Sequence, residues 1–264
     1  MRGTGSRGDG VLFAPLLPVR CERQRFYLEE CVIPAMRTTP AEEDENTELE
    51  VQGLAIYHPD TLTDLPPPLH TLPRIGFTAP STPHETLQHI LRGLDILTLP
   101  FVSSATDAGI SLDFTFPAPQ HPPHSENIPL PLGHDLWTAE PTSLLPLTPT
   151  CTCYTCRTHH RAYITHLLHA KEMLGWTLLQ IHNHEVIERF FVGVRGILQE
   201  GGGRYEEAVR VFEKVYESSL PEGSGRGPRV RGYQFKSQGP GEGKRNEAPF
   251  QEFGGVMETG KEDV

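Results

Sequence analysis

The sequence predicts an α/β domain that ends in a compact helical unit, with segments on either side that lack the apolar content to fold. Three observations carry this reading. Between residues 51 and 116 short apolar runs alternate with an amphipathic helical pattern, the rhythm of strand-helix-strand units. Three of the five cysteines fall within residues 151–156, and two stretches of helical periodicity follow them. The 264 residues include 25 Gly and 25 Pro, so much of the chain is loop.

Taken in order, residues 1–50 read as a poorly ordered N-terminal segment. Residues 1–10 are rich in Gly, Arg and Ser, and 37–50 contain Thr38-Thr39-Pro40 and the acidic run Glu42-Glu43-Asp44-Glu45. Residues 11–18 sit behind Arg2 and Arg7 and resemble a secretion signal only superficially, because Pro15 and Pro18 would break a signal helix. The folded region is expected over 51–220. Strands are predicted at 53–57 and 74–77, a helix at 83–92, and further strands at 95–101 and 110–116, where Ile110, Leu112, Phe114 and Phe116 alternate with smaller or polar residues. Six prolines then break residues 117–131.

From Arg157 to about Trp176 the periodicity predicts a helix with Tyr163, Ile164, Leu167, Leu168 and Leu174 on one side, ended by Gly175. A second helix runs from Leu178 to Glu200, where Gly201-Gly202-Gly203 stops it. A third, over 204–219, repeats Tyr205, Val209, Phe212 and Tyr216 at helical spacing and is expected to pack on this chain's own core. Residues 221–264 form a Gly-rich tail read as disordered, with a basic cluster from Arg226 to Arg245.

The chemistry sits between the sheet region and the third helix. Cys151-Thr152-Cys153-Tyr154-Thr155-Cys156 brings three thiolates into six residues, a spacing suited to a soft cation such as zinc. The fourth ligand is read from helical phase. His182, Val186, Phe190 and Val194 recur at steps of four, so His182 heads the inward stripe, and His184 is turned about 200° away at about 100° per residue. A helical hairpin would return His182 to the cysteine loop; the alternative is a core-edge histidine bonded to backbone. Cys151, Cys153, Cys156 and His182 make a closed set with no open position for an activated water, which points to one structural zinc ion. His182-Asn183-His184 is not a nuclease-like site, because neighbouring helical side chains diverge.

With that pattern in place the chain resembles the tRNA-guanine transglycosylases, and among them the accessory, non-catalytic subunits of the eukaryotic queuine enzymes. The likeness runs through the cysteine loop, Arg161-Ala162-Tyr163, Leu167-Leu168, Glu172, Leu174-Gly175 and His182-Asn183. Upstream it takes in Asp135-Leu136-Trp137, Pro73-Arg74-Ile75-Gly76, Glu85-Thr86-Leu87 and Arg92-Gly93-Leu94-Asp95, for a span of residues 70 to 200. The resemblance implies a TIM barrel with the zinc subdomain, here 135–200, near its C-terminal end. A complete barrel needs about 250 residues. Only 150 precede Cys151, so a partial barrel lacking its first half, with unpaired strand edges, is expected.

The resemblance also implies a role. Active members exchange guanine at the tRNA wobble position by way of an aspartate nucleophile, and here that position is Thr98, a neutral hydroxyl that would need its own base. Asp95 matches the first aspartate of the motif and is read as a buried strand-end carboxylate accepting backbone hydrogen bonds. No catalytic residue is therefore assigned. The expectation is a non-catalytic, zinc-binding subunit of a queuine tRNA-ribosyltransferase that forms a heterodimer with a catalytic subunit and meets tRNA through the complex. The alternatives are an active transglycosylase and a stand-alone zinc interaction module.

Composition narrows the setting. A net charge of -11 removes the broad positive field of a non-specific nucleic-acid binder. Any RNA contact must be local, and the candidate is Arg157, His159, His160 and Arg161, where helix-start amides could meet phosphate. No apolar run reaches the length of a membrane span. A cytoplasmic location follows, with Cys21 and Cys31 as reduced thiols; the resemblance adds peripheral association with the mitochondrial outer membrane.

Overall fold

The computed structural model describes residues 11–36, 51–119, 128–140, 142–224 and 227–228. Residues 1–10, 37–50 and 229–264, where much of the expected disorder was placed, lie outside the described residues, as do 120–127 within the proline-rich stretch. Four strands form a parallel sheet in sequential order: β1 (Leu12–Leu16), β2 (Val51–Ile56), β3 (Arg74–Gly76) and β4 (Ile96–Leu97). All but one residue of β2 is buried, as in a strand covered on both faces.

β1 is the first departure from the sequence reading, which placed residues 11–36 in a poorly ordered segment. Pro15 reads as a breaker, yet β1 is an edge strand, where a missing N–H leaves no ladder bond unmade. After β1 the chain coils through a 3₁₀ turn (Cys21–Gln24), α1 (Arg25–Tyr27), a π turn (Leu28–Val32) and α2 (Ile33–Ala35). Gln24 fixes this turn with three hydrogen bonds: its amide group donates to the Leu17 and Val19 carbonyls at 3.1 and 3.0 Å, and its oxygen accepts from Leu17 N at 3.0 Å. Leu16, Leu28, Val32, Leu54, Ile56 and Leu69 then close a buried cluster.

Helix α3 (Pro83–Leu91) matches its predicted span and is capped by Thr82, whose hydroxyl accepts from Glu85 N at 3.2 Å. The strand predicted over 95–101 is only the two residues of β4. Pro100 starts helix α4 (Pro100–Ala108) instead, and Phe101, Val102, Ala105 and Thr106 form its buried face. β5 (Ile110–Leu112) leaves the parallel sheet and pairs antiparallel with β6 (Gly133–Asp135). The predicted alternation continues past it, since Phe114 and Phe116 are buried without a ladder. The α/β class with a parallel sheet therefore holds, while the described residues do not extend that sheet into a barrel.

The helical unit also differs in its breaks. The single helix expected over 157–176 is two pieces, α5 (Tyr154–Thr158) and α6 (Arg161–His169), and the turn falls at Lys171, at φ 58°. Gly175 is inside the next helix, α7 (Met173–Glu200); a Cβ there would lie 3.1 Å from Leu167 Cβ, so the glycine marks where α7 crosses α6. Gly193 is tighter still, since its Cβ would lie 1.6 Å from the Phe116 carbonyl oxygen. Helix α8 (Arg204–Val215) ends four residues before the predicted limit of 219 and buries Tyr205, Val209 and Phe212 against α3 and α7, the in-chain packing expected. Phe114, Phe116, Phe190 and Phe212 meet edge-on or tilted at 5.5 to 6.3 Å in this core.

His84 packs its ring on Phe212 at 4.9 Å, with both ring nitrogens shielded and without a hydrogen-bond partner among the described residues. Burial lowers its pKa, against a smaller opposing pull from Glu213. The unfolded chain thus takes up the proton first, so the contribution is complete above the unfolded value of about 6.5 and is lost as pH falls from there through the lowered folded value. Urea titrations of zinc-loaded protein at about pH 7.5 and about pH 6 are expected to show a smaller acid loss for His84→Leu than for the parent. Equal losses would contradict this.

Candidate metal centre

The four predicted ligands are placed by a turn, by α5 and by α7. Cys151 follows a turn closed by its own N–H donating to the Thr148 carbonyl at 3.1 Å. Cys153 is the N-cap of α5, its sulfur accepting from Cys156 N at 3.4 Å, and Cys156 lies one turn into that helix. Thr155 anchors α5 to α7 by donating to the Leu178 carbonyl at 2.6 Å. His182 is fully buried on α7 and heads the stripe His182, Val186, Phe190 and Val194, all buried; His184 is exposed. The helical phase read from sequence therefore brings the imidazole to the cysteine loop.

The donor atoms of Cys151, Cys153, Cys156 and His182 all lie within 4.8 Å of one another. His182 Nδ1 is 3.4 Å from Cys156 Sγ and 3.9 Å from Cys153 Sγ. On the far side of the ring, Nε2 is 3.0 Å from the Leu112 carbonyl oxygen. A carbonyl only accepts, so Nε2 carries a proton and Nδ1 is left facing the sulfurs, where a metal would take its lone pair. Zinc bonds of about 2.3 Å to sulfur and about 2.0 Å to nitrogen space tetrahedral ligand atoms by about 3.5 to 3.8 Å, which this cluster approaches. Among the described residues no other group of three or more such side chains gathers as closely.

The electrostatics ask for a cation. Burial opposes charge at His182, but the surrounding sulfurs outweigh it and raise the imidazole pKa to about 11. Burial likewise works against the Cys153 thiolate, and hydrogen bonds from His182, the Cys156 amide and Cys151 still bring it down to about 6. Cys151 stays raised, chiefly by burial. A positive centre among these sulfurs is thus favoured, and a bound metal would supply it in place of the proton.

Three supporting residues were not read from the sequence. Asn183 Oδ1 accepts from Leu112 N at 2.9 Å, and its Nδ2 donates to Thr106 Oγ1 at 2.9 Å and to the Ile110 carbonyl at 3.0 Å. With His182 it occupies the open edge of β5. Thr155 and Arg189 hold the loop to α7; the guanidinium donates to the Thr150 carbonyl at 3.1 Å and to Thr152 Oγ1 at 2.5 Å. A polar residue on the buried side of a helix was the available signal for Asn183.

Two sequence expectations are corrected. The amides at the start of α6 are not free for phosphate: Arg161 N and Ala162 N donate to the Leu145 and Ser143 carbonyls at 2.7 and 2.9 Å, and His160 Nδ1 caps Tyr163 N at 3.1 Å. Arg161 itself donates to the Leu147 carbonyl at 2.8 Å, leaving Arg157 as the exposed cation of that patch. Asp95 is exposed and not buried, although it does accept a backbone bond, from Arg74 N at 2.8 Å. Thr98 is exposed just beyond β4, with its N–H 3.4 Å from the Gly76 carbonyl.

A parallel α/β sheet joined to a helical unit with a Cys₃His donor set defines an α/β protein with a cluster that could hold a metal ion. The family model for queuine tRNA-ribosyltransferase matches residues 57–218, and the chain belongs to that family. It is 42% identical over 188 residues to queuine tRNA-ribosyltransferase accessory subunit 2 of Schizosaccharomyces pombe, covering 70% of this chain and 41% of that protein. To the accessory subunit 2 of Xenopus laevis it is 34% identical over 149 residues, covering 45% of this chain and 35% of the relative. A queuine tRNA-ribosyltransferase of Thermosynechococcus vestitus is 57% identical over 75 residues, covering 28% of this chain and 18% of its own length. The matched stretches thus span under half of each of these relatives. No described helix is long and apolar enough to cross a membrane.

Proposed function

We propose that the chain works as a zinc-binding, non-catalytic subunit of a queuine tRNA-ribosyltransferase, paired with a catalytic subunit. The observation that carries this reading is Thr98, which stands where the family resemblance expects the nucleophilic aspartate. In the catalytic partner a carboxylate bonds to ribose C1′ as the bond to guanine breaks, and queuine then displaces the carboxylate. Thr98 has no charge to bring to that step. Cys151, Cys153, Cys156 and His182 are the residues that would hold zinc. Bound there, the ion supplies a structural crosslink, while Thr155, Asn183 and Arg189 fix the loop, α5 and α7 around it. The four-stranded sheet is read as a segment of a (β/α) barrel. The helical unit 135–200 is read as the part that shapes the partner-facing surface, with tRNA contacted through the complex in the cytoplasm.

Support comes from the two accessory-subunit relatives and from the closed donor set. Co-expression with a catalytic subunit, followed by labelled-guanine exchange into tRNA, tests the proposal. Exchange is expected with both chains present and not with this chain alone. Exchange by this chain alone would make it an active transglycosylase, and binding to neither partner nor tRNA would make it a stand-alone zinc module.

A further inference from the structure

The four ligands are not equally held. Cys153 is fixed as a helix cap, Cys156 by α5 itself, and His182 by α7 and the Leu112 carbonyl. Cys151 lies on an irregular segment whose short-range restraint is one turn hydrogen bond to Thr148. What ties that segment to the rest of the centre is Arg189, two turns beyond His182 on α7. Its guanidinium donates to the carbonyl of the residue before Cys151 and to the hydroxyl of the residue after it, at 3.1 and 2.5 Å. Glu185 accepts from Arg189 Nε at 2.8 Å and sets the angle of the fork. The contact is also favourable in charge, because three thiolates, one neutral imidazole and a divalent ion sum to minus one, and Arg189 brings a positive charge to that limb.

We propose that Arg189 is a positioning residue for metal retention, and that the Cys151 limb is the route by which zinc leaves. The guanidinium braces both neighbours of Cys151 at once, so its loss frees that sulfur while Cys153, Cys156 and His182 stay in place. This rests on the reading of the cluster as a zinc site. Outer partners of metal ligands commonly change affinity by about 10- to 100-fold, and an effect in the lower part of that range fits a brace acting on one ligand of four.

The test uses the full chain loaded with zinc. Zinc content of the parent protein is measured first; absence of zinc there would defeat the metal reading, separately from any role of Arg189. Zinc transfer to a chromophoric chelator is then timed for the parent, Arg189→Met and Arg189→Lys, with helicity and thermal midpoint recorded at saturating zinc. Release is expected to quicken by about tenfold in Arg189→Met and less in Arg189→Lys, with helicity unchanged. Partial alkylation during release is expected to label Cys151 ahead of Cys153 and Cys156. Unchanged release, or simultaneous labelling of the three cysteines, would overturn the proposal. If Arg189→Met does not fold, Thr152→Val removes one of the two loop bonds and is read by the same two measurements.

Discussion

Cys153→Ser is expected to abolish stoichiometric zinc binding and to unfold the helical unit from 135 to 200. Cys153 is both a proposed ligand and the cap of α5, and a serine hydroxyl can replace the cap but not the thiolate. The unit's own buried cluster is small, built on Leu136, Leu147, Ile164, Leu168, Trp176 and Leu179. Zinc sites of this kind contribute about 10 to 16 kcal/mol of apparent binding free energy in small domains, far more than such a cluster can replace. The chain's two tryptophans report the outcome directly. Trp137 and Trp176 donate their indole N–H to the Ala108 and Asp107 carbonyls at 3.0 and 3.2 Å, the carbonyls at the end of α4. In Cys153→Ser, or in parent protein stripped by a chelator, their emission is expected to shift to longer wavelength as helicity falls. Native emission and helicity without metal would contradict the account.

Asn183→Leu is expected to destabilise the zinc-loaded protein by about 4 kcal/mol, measured by urea unfolding. Leucine nearly preserves the volume, so the loss comes from polar groups. Leu112 N and the Ile110 carbonyl lose their partner in a region closed to water, while Thr106 Oγ1 keeps its bond to the Val102 carbonyl. Each such group costs about 1 to 3 kcal/mol when left unmet. Because Asn183 and His182 are adjacent and both bond to Leu112, the same change is expected to weaken the alignment of the ligand with the loop. A loss under about 1 kcal/mol would show that β5 finds other partners.

The gathering of the four donor side chains was legible because two sequence signals met in it. A tight cysteine spacing names its own chemistry, and a four-residue step on a long helix fixes which histidine faces inward. Strand positions in β2, β3 and β5 and the span of α3 were equally open to reading, since apolar runs and an amphipathic spacing signal them locally. What the sequence hid depends on distant segments. Pro15 is harmless only because β1 lies at a sheet edge, and Gly175 ends nothing because α6 lies against it. The supports of the site were hidden for the same reason: Asn183 and Arg189 act on backbone 71 and 39 residues away in sequence. Arg161 and the α6 amides looked available for phosphate until the carbonyls of 143, 145 and 147 were seen to occupy them.

Cys151, Cys153, Cys156 and His182 are proposed to close around a single zinc ion. X-ray absorption at the zinc edge of the purified full chain tests it most directly. The account predicts one zinc per chain with three sulfur neighbours at about 2.3 Å and one nitrogen at about 2.0 Å. A sample without stoichiometric zinc, or a zinc shell of light atoms only, would contradict it.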